Sequence, residues 1–246
     1  MNRTAKIIAM WSGPRNISTA MMRSWENRAD TQVWDEPFYG YYLARTGLDH
    51  PGRDAVIAAG ETDWRAVIAR ATRTDAPVFY QKHMTHHLLP EVERHWLTGV
   101  CNCFLIRHPR EVLLSYIRTR AKVTAADIGF PQQAAIFDTV CQQTGTIPPV
   151  IDAKDVLTDP EAMLKRLCHA VGVDFDRAML SWPSGPRDSD GVWAPYWYDS
   201  VYRSTGFAPY RSRTEPLPTA LASIVDECMP YYQRLYQHRL GAIPTE

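Results

Sequence analysis

At 246 residues and 45% hydrophobic composition, the chain is long enough for one sizeable core and has the size of a single α/β domain. Lysine plus arginine and aspartate plus glutamate number 27 each, so no global basic field argues for nucleic acid or an anionic membrane surface, and any anion site must be local. Five cysteines without a CxxC pair suit free thiols in a reducing compartment, and no 18-residue apolar run or leader-like start is present; the expectation is a soluble, unprocessed, cytoplasmic protein.

Residues 6–11, "KIIAMW", form a short apolar run that predicts a buried strand, and "ISTAMMRSWENR" after the next loop places Ile17, Ala20, Met21 and Ser24 or Trp25 at helical spacing. The alternation recurs. "TQVWD" leads into a polar loop, "PVFYQK" at 77–82 into a helix "LLPEVERHWL", "NCFLIRH" at 102–108 into "PREVLLSYIRTRA", and "PPVIDA" at 148–153 into "DPEAMLKRLCHAVG". Strands separated by helices of this length predict parallel crossovers, and so an α/β fold: a three-layer α/β/α sandwich with a mainly parallel central sheet. Pro109 and Pro160 suit first helical turns, with Asp159 as an N-cap. Residues 183–216 are rich in Pro, Gly and Ser but carry four Tyr and two Trp, which predicts an ordered irregular segment rather than a linker; 217–240 predicts a C-terminal helix, bent at Pro230. One domain spanning 1–246 is expected.

The stretch "WSGPRNISTA", Trp11 to Ala20, delivers the chain from the first strand into a helix. A helix N-terminus offers unpaired N–H groups and a positive dipole end, so this loop supports an anion cradle, with Ser18 and Thr19 adding hydroxyls and Arg15 a forked cation. It equally supports an ordinary helix cap with a solvated arginine. The nucleoside-triphosphatase pattern GxxxxGK[ST] is absent, since Gly13 is followed by "PRNIST". A second feature bears on the choice: "CFLIRHPREVLLSY" sets Arg107 at the end of an apolar strand and Ser115 eight residues later, about two turns along the next helix.

With these two segments the chain resembles the sulfotransferases that use PAPS (3′-phosphoadenosine 5′-phosphosulfate), whose fold is P-loop NTPase-like. "PRNISTA" is similar to that family's "PKSGTTW" loop, which implies that Arg15, Asn16, Ile17, Ser18 and Thr19 hold the phosphosulfate, and that Arg107 and Ser115 hold the 3′-phosphate. "FYQKHMTHHLLP" is similar to "VKTHLPLALLP", which implies His83 as catalytic base with Lys82 beside it. "VIDAKDVLTDPEAMLKRLCHAVGVDF" resembles the family's late strand and helix, and the late Gly-containing loop implies Ser204, Thr205 and Gly206 near the 3′-phosphate. The matches touch residues 6–25, 77–90, 102–120 and 149–175, in the family's order. Departures are Arg15 where many members have Lys, Ile17 where many have Gly, Ala20 where many have an adenine-stacking aromatic, and "DAKD" for a "YED"-type strand end.

The implied activity is sulfuryl transfer from PAPS to a hydroxyl or amine of a small-molecule or carbohydrate acceptor, with no metal and no nucleic acid. A base for the nucleophile and cations at the leaving group are required, roles for His83 and for Arg15 with Lys82. His86 and His87 compete with His83, and HxxHH also permits a weak zinc reading. Glu36 in "WDEPF", just past the second strand and similar to an "EPF" segment of some bacterial carbohydrate sulfotransferases, is the alternative base. Arg203, Arg211 and Arg213 are surface arginines or part of the late loop, and Trp193, Tyr196, Trp197, Tyr198 and Tyr202 line an acceptor pocket or pack their own segment. Two competing functions remain at this stage: a nucleotide or small-molecule kinase, disfavoured by the missing GK[ST], and a non-catalytic nucleotide-binding protein.

Overall fold

The computed structural model describes residues 5–117, 123–213 and 215–241. Its central sheet is built from β1 (Lys6–Ser12), β2 (Thr31–Asp35), β3 (Val78–Met84), β4 (Cys101–Ile106) and β5 (Val150–Asp152), in the spatial order β2-β3-β1-β4-β5. Every pairing is parallel. β1 is central and apolar from Ile7 to Trp11 because both its faces are covered.

The helices are α1 (Ser18–Glu26), α2 (Tyr39–Thr46), α3 (Arg53–Ala59), α4 (Trp64–Ala71), α5 (Pro109–Tyr116), α6 (Phe130–Thr144), α7 (Ala153–Thr158), α8 (Pro160–Val171), the single turns α9 (Ala194–Trp197) and α10 (Asp199–Tyr202), and α11 (Ala222–Tyr236). The period-two alternation of the strands sorts their side chains onto two cores. Ile8, Met10, Tyr80, Cys103 and Leu105 pack under α1 and α8, through Met21, Trp25, Leu164 and Leu167. Ala9, Trp11, Phe104 and Ile106 pack on the other face with Val67, Leu113, Phe137 and Leu235 of α4, α5, α6 and α11. These are the three layers that the alternation predicts. A third, smaller cluster joins Tyr39, Tyr42, Leu43 and Val56 of α2 and α3 to Trp193, Ala194 and Tyr198.

Capping chemistry sets several boundaries. Asp159 accepts from the Ala162 amide at 3.0 Å ahead of Pro160, and Asp152 accepts from the Lys154 amide at 2.7 Å to open α7. Three sequence expectations need correction. The "polar loop" after the second strand contains α2, α3 and α4, short helices held by tertiary packing of a few buried residues, Tyr39, Tyr41 and Tyr42 of α2, Val56 of α3 and Val67 and Ala71 of α4, rather than by a long apolar period. The helix expected at "LLPEVERHWL" is a set of turns between 3-10 segments at Thr85–His87 and His95–Gly99: Pro90 has no amide to donate, and Arg94 Nη2 satisfies the Leu88 and Leu89 carbonyls at 3.0 and 3.1 Å. The expected C-terminal helix over 217–240 is α11 alone, preceded by a 3-10 turn at Thr219–Leu221, and it includes Pro230. The far end of the helix expected at 109–121 lies outside the described residues. Residues 183–213 are irregular apart from the single turns α9 and α10 and an isolated antiparallel bridge of Gly206 with Ser181, and no helix among the described residues is long and apolar enough to cross a membrane.

Candidate functional site

Parallel strands bring their carboxyl ends to one edge, and a ligand crevice forms where the strand order departs on both sides of the first strand. At this edge a cavity of about 650 Å³ opens, lined at one end by Pro14 to Ala20 with Arg107 and Ser115, and at the other by Glu36, Lys82, Tyr39, Tyr42, His50 and His87. Residues of the 183–213 segment, including Trp197, Tyr198, Ser204 and Gly206, form a further wall.

The end formed by the loop after β1 is built by backbone geometry. Asn16 Oδ1 accepts from the Ile17 amide at 2.8 Å, and its Nδ2 donates to the Leu105 carbonyl at 3.1 Å, pinning the turn to β4. Arg15 adopts a left-handed φ of 57°, while Ile17, a β-branched residue, keeps φ at −91°. No side chain caps α1. Its first-turn amides, which have no intrahelical partners, belong to residues that line the cavity. Arg15 Nε donates to Ser115 Oγ at 3.1 Å; Arg107 Nη1 donates to the Arg15 carbonyl at 3.0 Å, and its Nε pairs with Glu111 at 3.0 Å. Tyr210 Oη fixes the other oxygen of Glu111 at 2.6 Å. Gly13 is required by close approach, since a Cβ there would meet the Ile128 carbonyl oxygen at 2.5 Å.

The opposite end centres on a buried lysine. Lys82 Nζ donates to Asp35 Oδ1 at 2.9 Å, Glu36 Oε1 at 2.5 Å and Tyr198 Oη at 2.7 Å. Tyr198 Oη in turn donates to Asp35 Oδ2 at 2.6 Å. Burial raises the Glu36 carboxyl above its ordinary range; Lys82 opposes that rise and the Asp35 charge adds to it. Glu36 carries a left-handed φ of 42° immediately before Pro37, an unusual backbone state for a non-glycine residue that turns the chain out of β2. His87 stacks between Tyr39 and Tyr42, both at 4.6 Å between ring centres, with Nδ1 3.9 Å from Glu36 Oε2. Burial, and then its neighbours His86, His50 and Lys82, hold it well below the usual histidine range, so it is neutral at working pH.

A sulfotransferase domain model matches residues 5–239. The chain belongs to the sulfotransferase domain family. Branched-chain-amino-acid aminotransferase-like proteins 1 and 2 of Arabidopsis thaliana are 34% and 32% identical to it over 235 residues, 95% of this chain but 42% of each of those proteins. The chain thus spans less than half the length of these curated relatives. Among solved structures it is similar to the sulfotransferase domain of the Synechococcus PCC 7002 olefin synthase (TM-score 0.60, 17% identity, 95% of this chain and 97% of that one). It is also similar to a sulfotransferase from Alicyclobacillus acidocaldarius (TM-score 0.57, 12% identity, 96% and 97%) and to the sulfotransferase domain of the curacin biosynthetic pathway (TM-score 0.53, 16% identity, 93% and 99%). At these identities the structural likenesses speak for the fold.

Within this sulfotransferase domain, Arg15, Asn16, Ile17, Ser18, Thr19, Arg107 and Ser115 meet at one end of the cavity, and Glu36 and Lys82 at the other. His83 does not join them. It follows Lys82 on β3, so it points to the opposite face of the sheet, where it is 2% exposed, stacks on Trp11 at 4.4 Å and bonds Gln81 Oε1 at 2.9 Å. Burial pushes its pKa down to about 3. A ring sealed in this core cannot reach an acceptor, which corrects the expectation that His83 is the base. It also separates His83 from His86 and His87, and with it the HxxHH zinc reading loses a ligand.

In the late loop, Ser204 and Gly206 line the cavity and Thr205 does not. The Ser204 hydroxyl is occupied internally, donating to the Val201 carbonyl at 2.7 Å and accepting from Trp182 Nε1 at 3.1 Å, while the Thr205 carbonyl accepts from the Trp182 amide. The Ser204 hydroxyl is thus engaged within the loop rather than presented to a phosphate. Arg203 is an exposed arginine 3.5 Å from Asp199, whereas Arg213 lines the cavity. Asp35, Tyr39 and Tyr42 were missed by sequence reasoning; two adjacent carboxylates closing a strand before a proline are the available signal for the first.

Proposed function

We propose that this sulfotransferase domain transfers a sulfuryl group from PAPS to a hydroxyl or amine of a small-molecule or carbohydrate acceptor in the cytoplasm. The observation that carries the reading is a cavity that is cationic and amide-lined at one end and carboxylate- and aromatic-lined at the other. The residues fit the donor: a turn held open by Asn16, an uncapped helix start, and two arginines and a serine beside it suit a doubly phosphorylated nucleotide. PAPS, when bound, supplies the sulfuryl group.

The chain's own residues divide the remaining work. The α1 amides and Arg15 neutralise charge on the donor's oxygens, and an arginine does so as a fixed cation rather than a proton donor. Arg107 braces the left-handed turn at Arg15 through its hydrogen bond to the Arg15 carbonyl. Glu36, with its proton affinity raised by burial and Asp35, takes the acceptor's proton. Tyr39, Tyr42 and Trp197 enclose the acceptor and exclude water.

Calorimetric titration with PAP (adenosine 3′,5′-bisphosphate), against ATP with Mg²⁺, tests the donor assignment. Binding of PAP and not of ATP is expected, and undetectable PAP binding overturns the reading. Radiolabelled sulfate transfer from PAPS over a panel of phenols, alcohols, amines and sugars then identifies the acceptor class.

A further inference from the structure

The lysine node holds more groups than a base and its counter-ion require. Lys82 carries one positive charge, and two carboxylates, Asp35 and Glu36, lie within 2.9 Å of its Nζ. Their hydrogen bonding is unequal. Asp35 accepts from Lys82 at 2.9 Å, from Tyr198 Oη at 2.6 Å and, at 3.4 Å, from the Gly191 amide. Glu36 accepts from Lys82. The partners of Asp35 come from the irregular segment as well as the sheet, and Asp190, next to Gly191, is clamped to the buried Arg23 of α1 at 2.6 Å.

We propose that Asp35 is a positioning residue for Glu36: by sharing Lys82 it withholds part of the lysine's charge from Glu36 and keeps that carboxylate basic, with Tyr198 setting the division. The proposal rests on the reading of Glu36 as base. Its physical content is competition. One ammonium cannot neutralise two carboxylates 2.9 and 2.5 Å away, and the carboxylate with additional donors is the better stabilised anion. The other groups facing Glu36 do not add a cation: Tyr198 is a buried phenol, its proton held by burial and the Asp35 charge, and His87 is held neutral. A lone Lys82–Glu36 pair would make a weaker base, because a fully compensated carboxylate has its proton affinity lowered.

The test is the pH titration of the Glu36 side-chain carboxyl by NMR in ¹³C-glutamate-labelled protein, with the signal assigned by its loss in Glu36→Gln. It needs neither nucleotide nor acceptor, so its failure is distinct from failure of the transferase reading, which the PAP titration decides. The wild-type inflection is expected above the ordinary glutamate range. Asp35→Asn keeps the shape and one acceptor oxygen but removes the competing charge, and should move the inflection down by about one pH unit. Tyr198→Phe leaves Asp35 leaning harder on Lys82 and should move it up. Opposite shifts are a signature that a purely structural role would not produce, and the acid limb of sulfate transfer should follow each of them. An unmoved Glu36 inflection in folded Asp35→Asn, or shifts of the same sign in both variants, overturns the proposal. If Asp35→Asn lacks a cooperative thermal transition, Tyr198→Phe decides alone, and no upward shift overturns it.

Discussion

Arg15 Nε donates a hydrogen bond to Ser115 Oγ at 3.1 Å, joining the turn after the first strand to the helix after the fourth. Sequence similarity implies two phosphate sites for these residues, yet in the folded chain they touch, so the two proposed anion sites form one continuous surface. Ser115→Ala and Arg15→Ala are each expected to weaken PAP binding by about tenfold, and the double variant by less than the product of the two, because residues in one hydrogen-bonded network couple. Calorimetry on the four proteins measures this; full additivity would show the two groups acting independently.

Glu36→Gln retains size and polarity and loses the ability to take a proton. Sulfate transfer should fall by about 100-fold or more while PAP affinity is unchanged, the pattern of a group that acts in the chemical step. Unaltered turnover would remove Glu36 as base.

His83→Ala should behave in the opposite way. The ring fills a core site between Trp11, Phe38 and Trp96, so its removal is expected to cost about 3 kcal/mol of stability and to lower the melting temperature. The pH profile of whatever transfer remains at a permissive temperature should be that of the wild type, since a group with a pKa of about 3 stays neutral throughout the working range.

Asp152, 3% exposed, accepts from the Lys154 amide and from Tyr232 Oη at 2.9 Å, but burial is the larger influence and raises its pKa from 3.8 to about 6. The folded state therefore holds this proton more tightly than the unfolded chain. Its stabilising contribution is complete below about pH 4 and is lost as pH rises to about 6, a difference on the order of 3 kcal/mol at most. Asp152→Asn, which preserves the cap, should flatten the decline by that amount in urea titrations at a series of pH values. Parallel curves for the two proteins would show that Asp152 titrates normally.

Much of the fold is legible in the sequence because the strands are short apolar runs with unmistakable helices after most of them. Arg107 and Ser115 are legible for the same reason, since strand end and helix spacing fix their positions. The three short helices between β2 and β3 are not, because they owe their stability to tertiary packing, of Tyr39, Tyr42 and Val56 for α2 and α3 and of Val67 and Ala71 for α4, rather than to a local period. His83 shows a different failure. Similarity located the residue but not its face: with period two, Lys82 and Met84 turn to the cavity together and His83 must turn away. Asp35 and Tyr198 are 163 positions apart, and no local pattern announces that they meet.

The small cluster of Tyr39, Tyr42, Leu43, Val56, Trp193, Ala194 and Tyr198 stands apart from the two cores that pack the sheet. The wall facing the loop after β1 thus has packing of its own, joined to the rest of the molecule at the Lys82 node, at the Asp190–Arg23 pair and through Leu89. Natural variation or directed evolution is free to rework that wall piece by piece, because a changed ring there leaves the packing beneath the first strand and its loop intact.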